Sequence, residues 1–314
     1  MRRLRVGVVG VGFWGRNHAR VLRKIPNANL VAVCDTEEEA ARQVGEKFRV
    51  GWYTDLDQLL SREDLDAVTI CTPTAAHADV ALRTIERSKH LLIEKPVSST
   101  VDEARLIVSA ADKRGVHLMV GSIERFNPAV RQLKKMVKDG ALGRLIFTMA
   151  RRVSRRPERV EDVGIVRDSA IHDIDVMRYL LESEVETVYA RTGSLKFKFE
   201  DYAEALLVFK SGNVGFIDAN WLTPRKIRSL IATGSEATAT IDYLSQKIVV
   251  EGLKKAKKIQ PKWEEPLQAE LKHFVNTILE DGEPIVTGQD GVQTLRICEA
   301  IIESGRTGEK IYLG

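Results

Sequence analysis

The sequence predicts an α/β chain of two domains. An N-terminal doubly wound parallel sheet is followed by a C-terminal α+β domain on an open, mostly antiparallel sheet. Three observations lead there. Residues 1–121 alternate short, fully apolar runs with helix-like segments, the pattern of parallel strands covered on both faces. From 122 to 314 the strands come closely spaced and joined by turns, with helices set apart from them. The first apolar run also passes directly into a glycine-rich turn that opens a helix.

In the first domain, strands are expected at 4–9, 30–34, 67–71, 91–93 and 116–120, each rich in Val, Leu or Ile. Helices fall between them at 14–24, 37–48, 77–87 and 102–114. In the second domain a helix at 128–138 leads to a strand at 144–152. An arginine-rich loop and a helix at 167–181 follow. Strands at 202–210 and 213–221 are joined through Ser211-Gly212, with another at 227–233. Helices at 267–280 and 289–304 close the chain.

Composition narrows the class. The 314 residues are 44% hydrophobic and 29% charged, an ordinary globular balance. A net charge of +4 does not by itself indicate a nucleic-acid or membrane partner. Cys34, Cys71 and Cys298 lack metal or disulfide spacing, which favours a reduced, cytoplasmic setting. The basic N-terminus precedes an apolar run broken by three glycines, unlike a signal peptide. No apolar stretch reaches the ~20 residues that span a bilayer.

The first motif is Gly10-Val11-Gly12-Phe13-Trp14-Gly15. It follows the first strand, opens the first helix, and precedes by about twenty residues an acid, Asp35, at the end of the second strand. Gly10 permits the tight turn, Gly12 lets backbone approach a pyrophosphate, and Gly15 lets helix and strand pack closely. The helix N-terminus attracts phosphate. A carboxylate at Asp35 suits ribose hydroxyls and repels a 2′-phosphate, so NAD is expected rather than NADP. The domain reads as a Rossmann dinucleotide-binding domain.

The second motif is Leu91-Leu92-Ile93-Glu94-Lys95-Pro96. Ligands of doubly wound sheets bind at the carboxyl ends of the strands, which is where Glu94 and Lys95 stand. Thr72 and Pro73, after the third apolar run, open toward the same crevice. A lysine there suits a substrate hydroxyl that becomes alkoxide-like as hydride leaves.

GVGFWG, CDTEEEA, TPTAAHADVA and EKPVSST together resemble the glucose–fructose oxidoreductase, inositol dehydrogenase and MocA family of NAD(P)-dependent sugar oxidoreductases, over essentially the whole chain. The resemblance implies that Lys95 lies near the nicotinamide and the reacting hydroxyl. It also places His77 in a cofactor loop at the nicotinamide end, and directs attention to an Asp and a His four apart on a second-domain helix, here Asp168 and His172.

On a regular α-helix Asp168, His172, Asp175 and Tyr179 form one stripe, beside an apolar face of Ala170, Ile174, Met177 and Leu181. His172 suits removal of the hydroxyl proton, because imidazole titrates nearest neutral pH. Asp168 then orients substrate or His172, and Asp175 is structural. The spacing supplies no third clear metal ligand, so no metal is expected.

IERFNPAV together with ARRV…ERV.DVG…IHDIDVMRYL is similar to the UDP-N-acetylglucosamine 3-dehydrogenase branch of the family. Arg125, Asn127, Arg152 and Arg159 are the expected substrate contacts, since guanidinium binds diphosphate bidentately. Strand alternation allows only one of Arg151 and Arg152 to face ligand. The leading expectation is oxidation, at C3, of a secondary hydroxyl in a UDP-N-acetylated sugar. An unactivated sugar or inositol-type polyol is the alternative. A non-catalytic NAD sensor has no use for Lys95 and His172, and nucleic-acid binding would need an aromatic-studded basic groove. The open second sheet needs covering, and family members pair such faces, so a homodimer or homotetramer is expected.

Overall fold

The computed structural model describes residues 3–157 and 162–314. It divides into two compact units, Met1–Ser122 with Leu267–Gln293, and Ile123–Pro266 with Thr294–Gly314.

The first unit runs β1 (Leu4–Val9), α1 (Phe13–Leu22), β2 (Ala28–Cys34), α2 (Glu38–Phe48), β3 (Gly51–Tyr53), α3 (Leu56–Leu60), β4 (Ala67–Ile70), α4 (His77–Glu86), β5 (His90–Glu94), α5 (Val101–Arg114) and β6 (Leu118–Gly121). The six strands lie in the order β3-β2-β1-β4-β5-β6, and every pair is parallel. The order reverses between β1 and β4, which makes a crevice at their carboxyl ends. Val6, Val8, Ala32, Val33, Val68, Ile70, Leu91, Leu92 and Ile93 are essentially inaccessible, as strands covered on both faces must be.

Sequence reading overlooked β3 and α3. Gly-Trp-Tyr and a five-residue helix are too short for a periodic signal. Where a cap is present the local logic is legible. Thr100 and Glu103 form a reciprocal capping box that starts α5, and Gly115 ends it at φ +67°.

In the second unit, α6 (Pro128–Lys138) is capped by Asn127, whose side chain accepts the Ala129 N–H. Strands β7 (Leu145–Arg155), β8 (Val185–Gly193), β9 (Tyr202–Phe209), β10 (Val214–Asn220), β11 (Leu222–Gly234), β12 (Ala237–Asp242), β13 (Lys247–Gly252) and β14 (Ala256–Ile259) follow, with helix α7 (Ile171–Leu181) between β7 and β8. Helices α8 (Pro266–Glu280) and α9 (Gly288–Thr307) and a short β15 (Ile311–Tyr312) end the chain. The nine strands are ordered β14-β13-β12-β11-β7-β10-β9-β8-β15. All neighbours are antiparallel except β7 and β10.

One face of this sheet is built from small and aliphatic residues: Ala150 of β7, Ala203, Ala205 and Leu207 of β9, Ala219 of β10 and Ala239 of β12. The apolar faces of α6 (Val130, Leu133) and α7 (Ile174, Met177) belong to the same core. Small residues let the helices approach the strands closely.

The division into 1–121 and 122–314 expected from sequence differs from the structure at one segment. Residues Leu267–Gln293 belong to the first unit. Met119 bridges to Thr287, and the Val120 N–H donates to the Val286 carbonyl at 3.2 Å. The returning chain thereby satisfies backbone groups on β6 that an edge strand leaves open.

Candidate active site

Each glycine of the loop between β1 and α1 meets a different demand. Gly10 has φ +82°, and a Cβ there would lie 2.7 Å from the Cys71 carbonyl carbon. A Cβ on Gly15 would stand 1.8 Å from the Gly10 oxygen, so helix and loop touch through hydrogen alone. At Gly12 a Cβ would meet nothing within 4 Å. No packing inside the protein requires that glycine, whereas close approach of a ligand does. Helix α1 starts at Gly12 without a side-chain cap and without an acid in its first turn. It therefore offers backbone donors and a positive dipole end to an anion. Phe13 is 61% exposed and meets Trp14 edge-on with centroids 5.6 Å apart.

Asp35 closes the loop from the second strand. Its Oδ2 accepts the Val11 N–H at 2.7 Å and its Oδ1 the Glu37 N–H at 3.0 Å. A carboxylate has about four acceptor sites, so capacity is left for a ribose diol. At the end of β4, the Thr72 hydroxyl oxygen is buried without a hydrogen-bond partner among the described residues. The open side of Gly12, the uncapped helix and this orphaned hydroxyl fit a bound dinucleotide. Gly10, Gly12, Phe13, Trp14, Gly15, Asp35, Thr72 and Pro73 are the residues that would hold it.

Glu94 and Lys95 take different environments at the tip of β5. Glu94 is buried, and its Oε1 lies 3.0 Å from Nε2 of the fully buried His18 on α1. Its Oε2 accepts the Lys95 N–H at 3.3 Å. The acid thus ties the helix of the glycine loop to the strand that carries the lysine. Lys95 is partly exposed and joined to Pro96 by a cis peptide bond. His77, also buried, places Nδ1 2.8 Å from the Pro96 carbonyl oxygen and Nε2 3.0 Å from that of Thr72. Burial pushes the Cys71 thiol well up, with Glu94 adding to the effect, so that thiol is no nucleophile.

Within the second unit, Asp168 and His172 lie on one helical segment. The sequence suggests an uninterrupted α-helix at 167–181, but a single π turn, Val166–Ala170, precedes α7. Asp168 and Ser169 lie inside it, and the Ser169 hydroxyl donates to Asp168 Oδ2 at 2.9 Å. Short polar side chains that bond locally compete with the regular ladder. π turns concentrate at functional sites. Asp168 is buried and His172 partly exposed.

The remaining stripe positions are engaged within this unit. Asp175 forms a two-pronged pair with Arg125, at 2.8 Å to Nε and 2.6 Å to Nη2, and Arg125 lies over the Tyr179 ring. Arg152 is clamped the same way by Asp173 and reaches Glu124 at 3.1 Å. Burial opposes the Arg152 charge, but Asp173 and Glu124 outweigh it and hold the guanidinium firmly protonated. Burial raises the Tyr243 hydroxyl, which lies beside Asp173. Removing one member of such a buried pair costs about 3–5 kcal/mol.

Arg125, Arg152 and Asn127, expected to reach substrate, are thus 5%, 3% and 2% exposed and are bonded inside the unit. Asn127 caps α6 and donates to Glu124 and to the Tyr243 carbonyl. Arg159 lies outside the described residues. Arg151 projects to the other sheet face and pairs with Asp218 at 2.8 Å, as strand alternation requires. Sequence reasoning left His18 and Glu124 without a role. His18 meets Glu94 76 residues away, and Glu124, besides the nearby Asn127, meets Arg152 28 residues away. Among the described residues, no group of three or more His, Cys, Asp or Glu side chains is arranged to hold a metal ion. No described helix is long and apolar enough to cross a membrane.

Comparison with known proteins agrees with this geometry. Residues 4–122 match the family model described as "Oxidoreductase family, NAD-binding Rossmann fold", and residues 130–240 match the "GFO/IDH/MocA C-terminal domain". The chain belongs to the Gfo/Idh/MocA family. It is 30% identical to D-apiose dehydrogenase of Paraburkholderia graminis, over 100% of this chain and 90% of that protein. It is 30% identical to myo-inositol 2-dehydrogenase of Thermotoga maritima, with 93% of each covered. The solved structure of UDP-N-acetylglucosamine 3-dehydrogenase from Acidithiobacillus ferrooxidans superposes with a TM-score of 0.90 at 27% identity, covering 97% of this chain and 98% of that one. As a member of the Gfo/Idh/MocA family, this protein is an NAD-dependent oxidoreductase acting on CH–OH groups of a sugar or polyol.

Proposed function

We propose that the substrate is a UDP-activated N-acetylated sugar, oxidised at a secondary hydroxyl, C3. The likeness to UDP-N-acetylglucosamine 3-dehydrogenase in sequence and in fold over nearly all of both chains carries this reading. A second reading, an inositol-type polyol, is favoured by the 30% identity to myo-inositol 2-dehydrogenase.

Bound NAD supplies the hydride acceptor. Lys95 donates a hydrogen bond to the substrate hydroxyl oxygen and stabilises the charge that grows there. His172 takes the hydroxyl proton, and Asp168 orients it or the sugar. Glu94, held by His18, sets the backbone from which Lys95 extends, and His77 stands behind the same turn at the nicotinamide end.

NADH formation at 340 nm tests the substrate. The enzyme, stripped of cofactor and supplied with NAD, is offered UDP-N-acetylglucosamine, free N-acetylglucosamine and myo-inositol. Turnover of the UDP sugar alone is expected; turnover of a free polyol in its place would overturn the choice.

The open sheet face supports assembly into a homodimer or homotetramer. Tyr189, Leu206, Phe216, Met149 and Ile231 are direct cross-strand neighbours and form an apolar row. Tyr189, Phe216 and Met149 are each more than 40% exposed. Large exposed apolar patches mark interfaces. The double variant Met149→Glu, Phe216→Lys is expected to sediment as a monomer. An unchanged oligomer would place the interface elsewhere.

A further inference from the structure

Arg228 of β11 stands directly opposite Arg152 of β7. It continues the alternation of Leu230 and Ala232, so it leaves the strand on the helix-covered face of the sheet. Immediately before it, between Leu222 and Ile227, the register of β11 against β7 slips. Such irregularities re-aim side chains and collect next to active sites. The Tyr243 N–H donates to the Arg228 carbonyl at 3.0 Å, which fixes the backbone at this point.

The two facing arginines have unlike surroundings. Arg152 is buried and held by Asp173 at 2.7 Å and Glu124 at 3.1 Å. The Arg228 side chain is 34% exposed, and its one ion pair among the described residues reaches Glu124 Oε1 at 4.0 Å. That is too long for a hydrogen bond. Glu124 is also engaged already, its Oε1 by Arg152 and its Oε2 by Asn127, each at 3.1 Å. Burial holds the Arg228 guanidinium below its ordinary value, and Arg152 beside it adds to the effect. Glu124, Asp173 and Asp168 act the other way without restoring it. Folding therefore works against this charge, whereas Arg152 is held protonated by its partners. A charge kept in such a place, with Asp168 in its electrostatic neighbourhood, fits a binding role better than a structural one.

We propose that Arg228 is a substrate-binding residue that presents its planar N–H fork to the diphosphate of the substrate. Two parallel N–H donors match two phosphate oxygens, and the phosphate supplies the counter-charge that Glu124 gives to Arg152 instead. The proposal rests on the UDP-sugar reading above and names a contact for it within the second unit. A neutral inositol has no oxyanion to offer the fork.

Steady-state kinetics with UDP-N-acetylglucosamine, calorimetric titration of the NAD-loaded enzyme with UDP, and thermal melts test it together on Arg228→Met and Arg228→Lys. Arg228→Met is expected to raise KM by about tenfold or more and to weaken UDP equally, because a charge-assisted pair is lost. Its kcat should change little, since the phosphates take no part in hydride transfer. Arg228→Lys keeps the charge without the fork and should recover part of the loss. The melting temperature of Arg228→Met at pH 7 should match or exceed wild type, because a charge that folding opposes is removed. A melting temperature several degrees lower would show an arginine that serves the fold and would overturn the inference. UDP affinity unchanged in Arg228→Met, or no UDP binding by the wild type, would overturn it too. The substrate reading is judged separately. Turnover of UDP-N-acetylglucosamine with an unaltered KM in Arg228→Met would sink this contact alone, and turnover of free polyols only by the wild type would sink both.

Discussion

His77 places its Nδ1 2.8 Å from the carbonyl oxygen of Pro96 while its Nε2 lies 3.0 Å from that of Thr72. Both partners are carbonyl oxygens on separate segments, and the ring spans the gap between them. The histidine is a strut between the end of β4 and the turn that carries Lys95. His77→Ala is expected to lower kcat by about ten- to a hundredfold, because a displacement of about 1 Å misaligns a reacting group. His77→Gln, which retains one donor, should recover part of the loss. Steady-state kinetics with both variants at wild-type melting temperature would show it, and an unchanged kcat in His77→Ala would remove the strut from the mechanism.

Lys95 and His172 carry the proposed chemistry. Lys95→Ala and His172→Ala should each lower turnover by about 10²–10⁴-fold. NAD affinity should be retained in both. Near-wild-type rates in either variant would sink the assigned role.

Asp35 braces the loop, and its proposed second role is to bind the ribose of the cofactor. Its two oxygens brace the N–H groups of Val11 and Glu37. Asp35→Ala should therefore weaken NAD and NADP through the loop, and NAD further through the lost ribose contact. The ratio of the two affinities isolates the second effect. A ratio equal to wild type would reject selection by this carboxylate.

Glu204 and Asp218 stand directly opposite each other on β9 and β10, with Arg151 beside Asp218. The Glu204 residue is exposed overall, but its carboxyl is pushed up to about 7 by desolvation first and by Asp218 next. The folded value lies above the ordinary 4.5, so the native state holds a proton that the unfolded chain releases between about pH 4.5 and 7. Stability from this group is complete below that window and is lost as pH rises through it. Glu204→Gln should raise the melting temperature relative to wild type at pH 8 and leave it unchanged at pH 4. An offset that does not vary with pH would show that the carboxyl is not shifted.

Local features made much of this legible in the sequence. The strands of the first unit are continuous apolar runs because both of their faces are covered. The glycine loop announces itself because Gly10 needs positive φ and Gly15 needs contact with the Gly10 oxygen. Arg125 and Arg152 looked like ligand contacts because a sequence shows the charge of a side chain and not its partner. Asp175 and Asp173 stand 50 and 21 residues further on, and only folding brings them to the guanidinium groups. The π turn at Val166–Ala170 is equally hidden, since it inserts a residue into a turn without changing the residue types around it.

The sequence by itself determined the two sheets, the dinucleotide loop with Asp35, and the strand tip that presents Lys95, because each rests on periodicity, steric freedom or adjacency along a few residues. Tertiary structure decided which charges are spent internally, returned 267–293 to the edge of the first sheet, and joined His18 to Glu94. It also set Arg228 opposite Arg152 on one sheet face. Those outcomes depend on which distant groups meet once water is excluded, and a buried charge must find its counter-charge or remain at a cost of several kcal/mol.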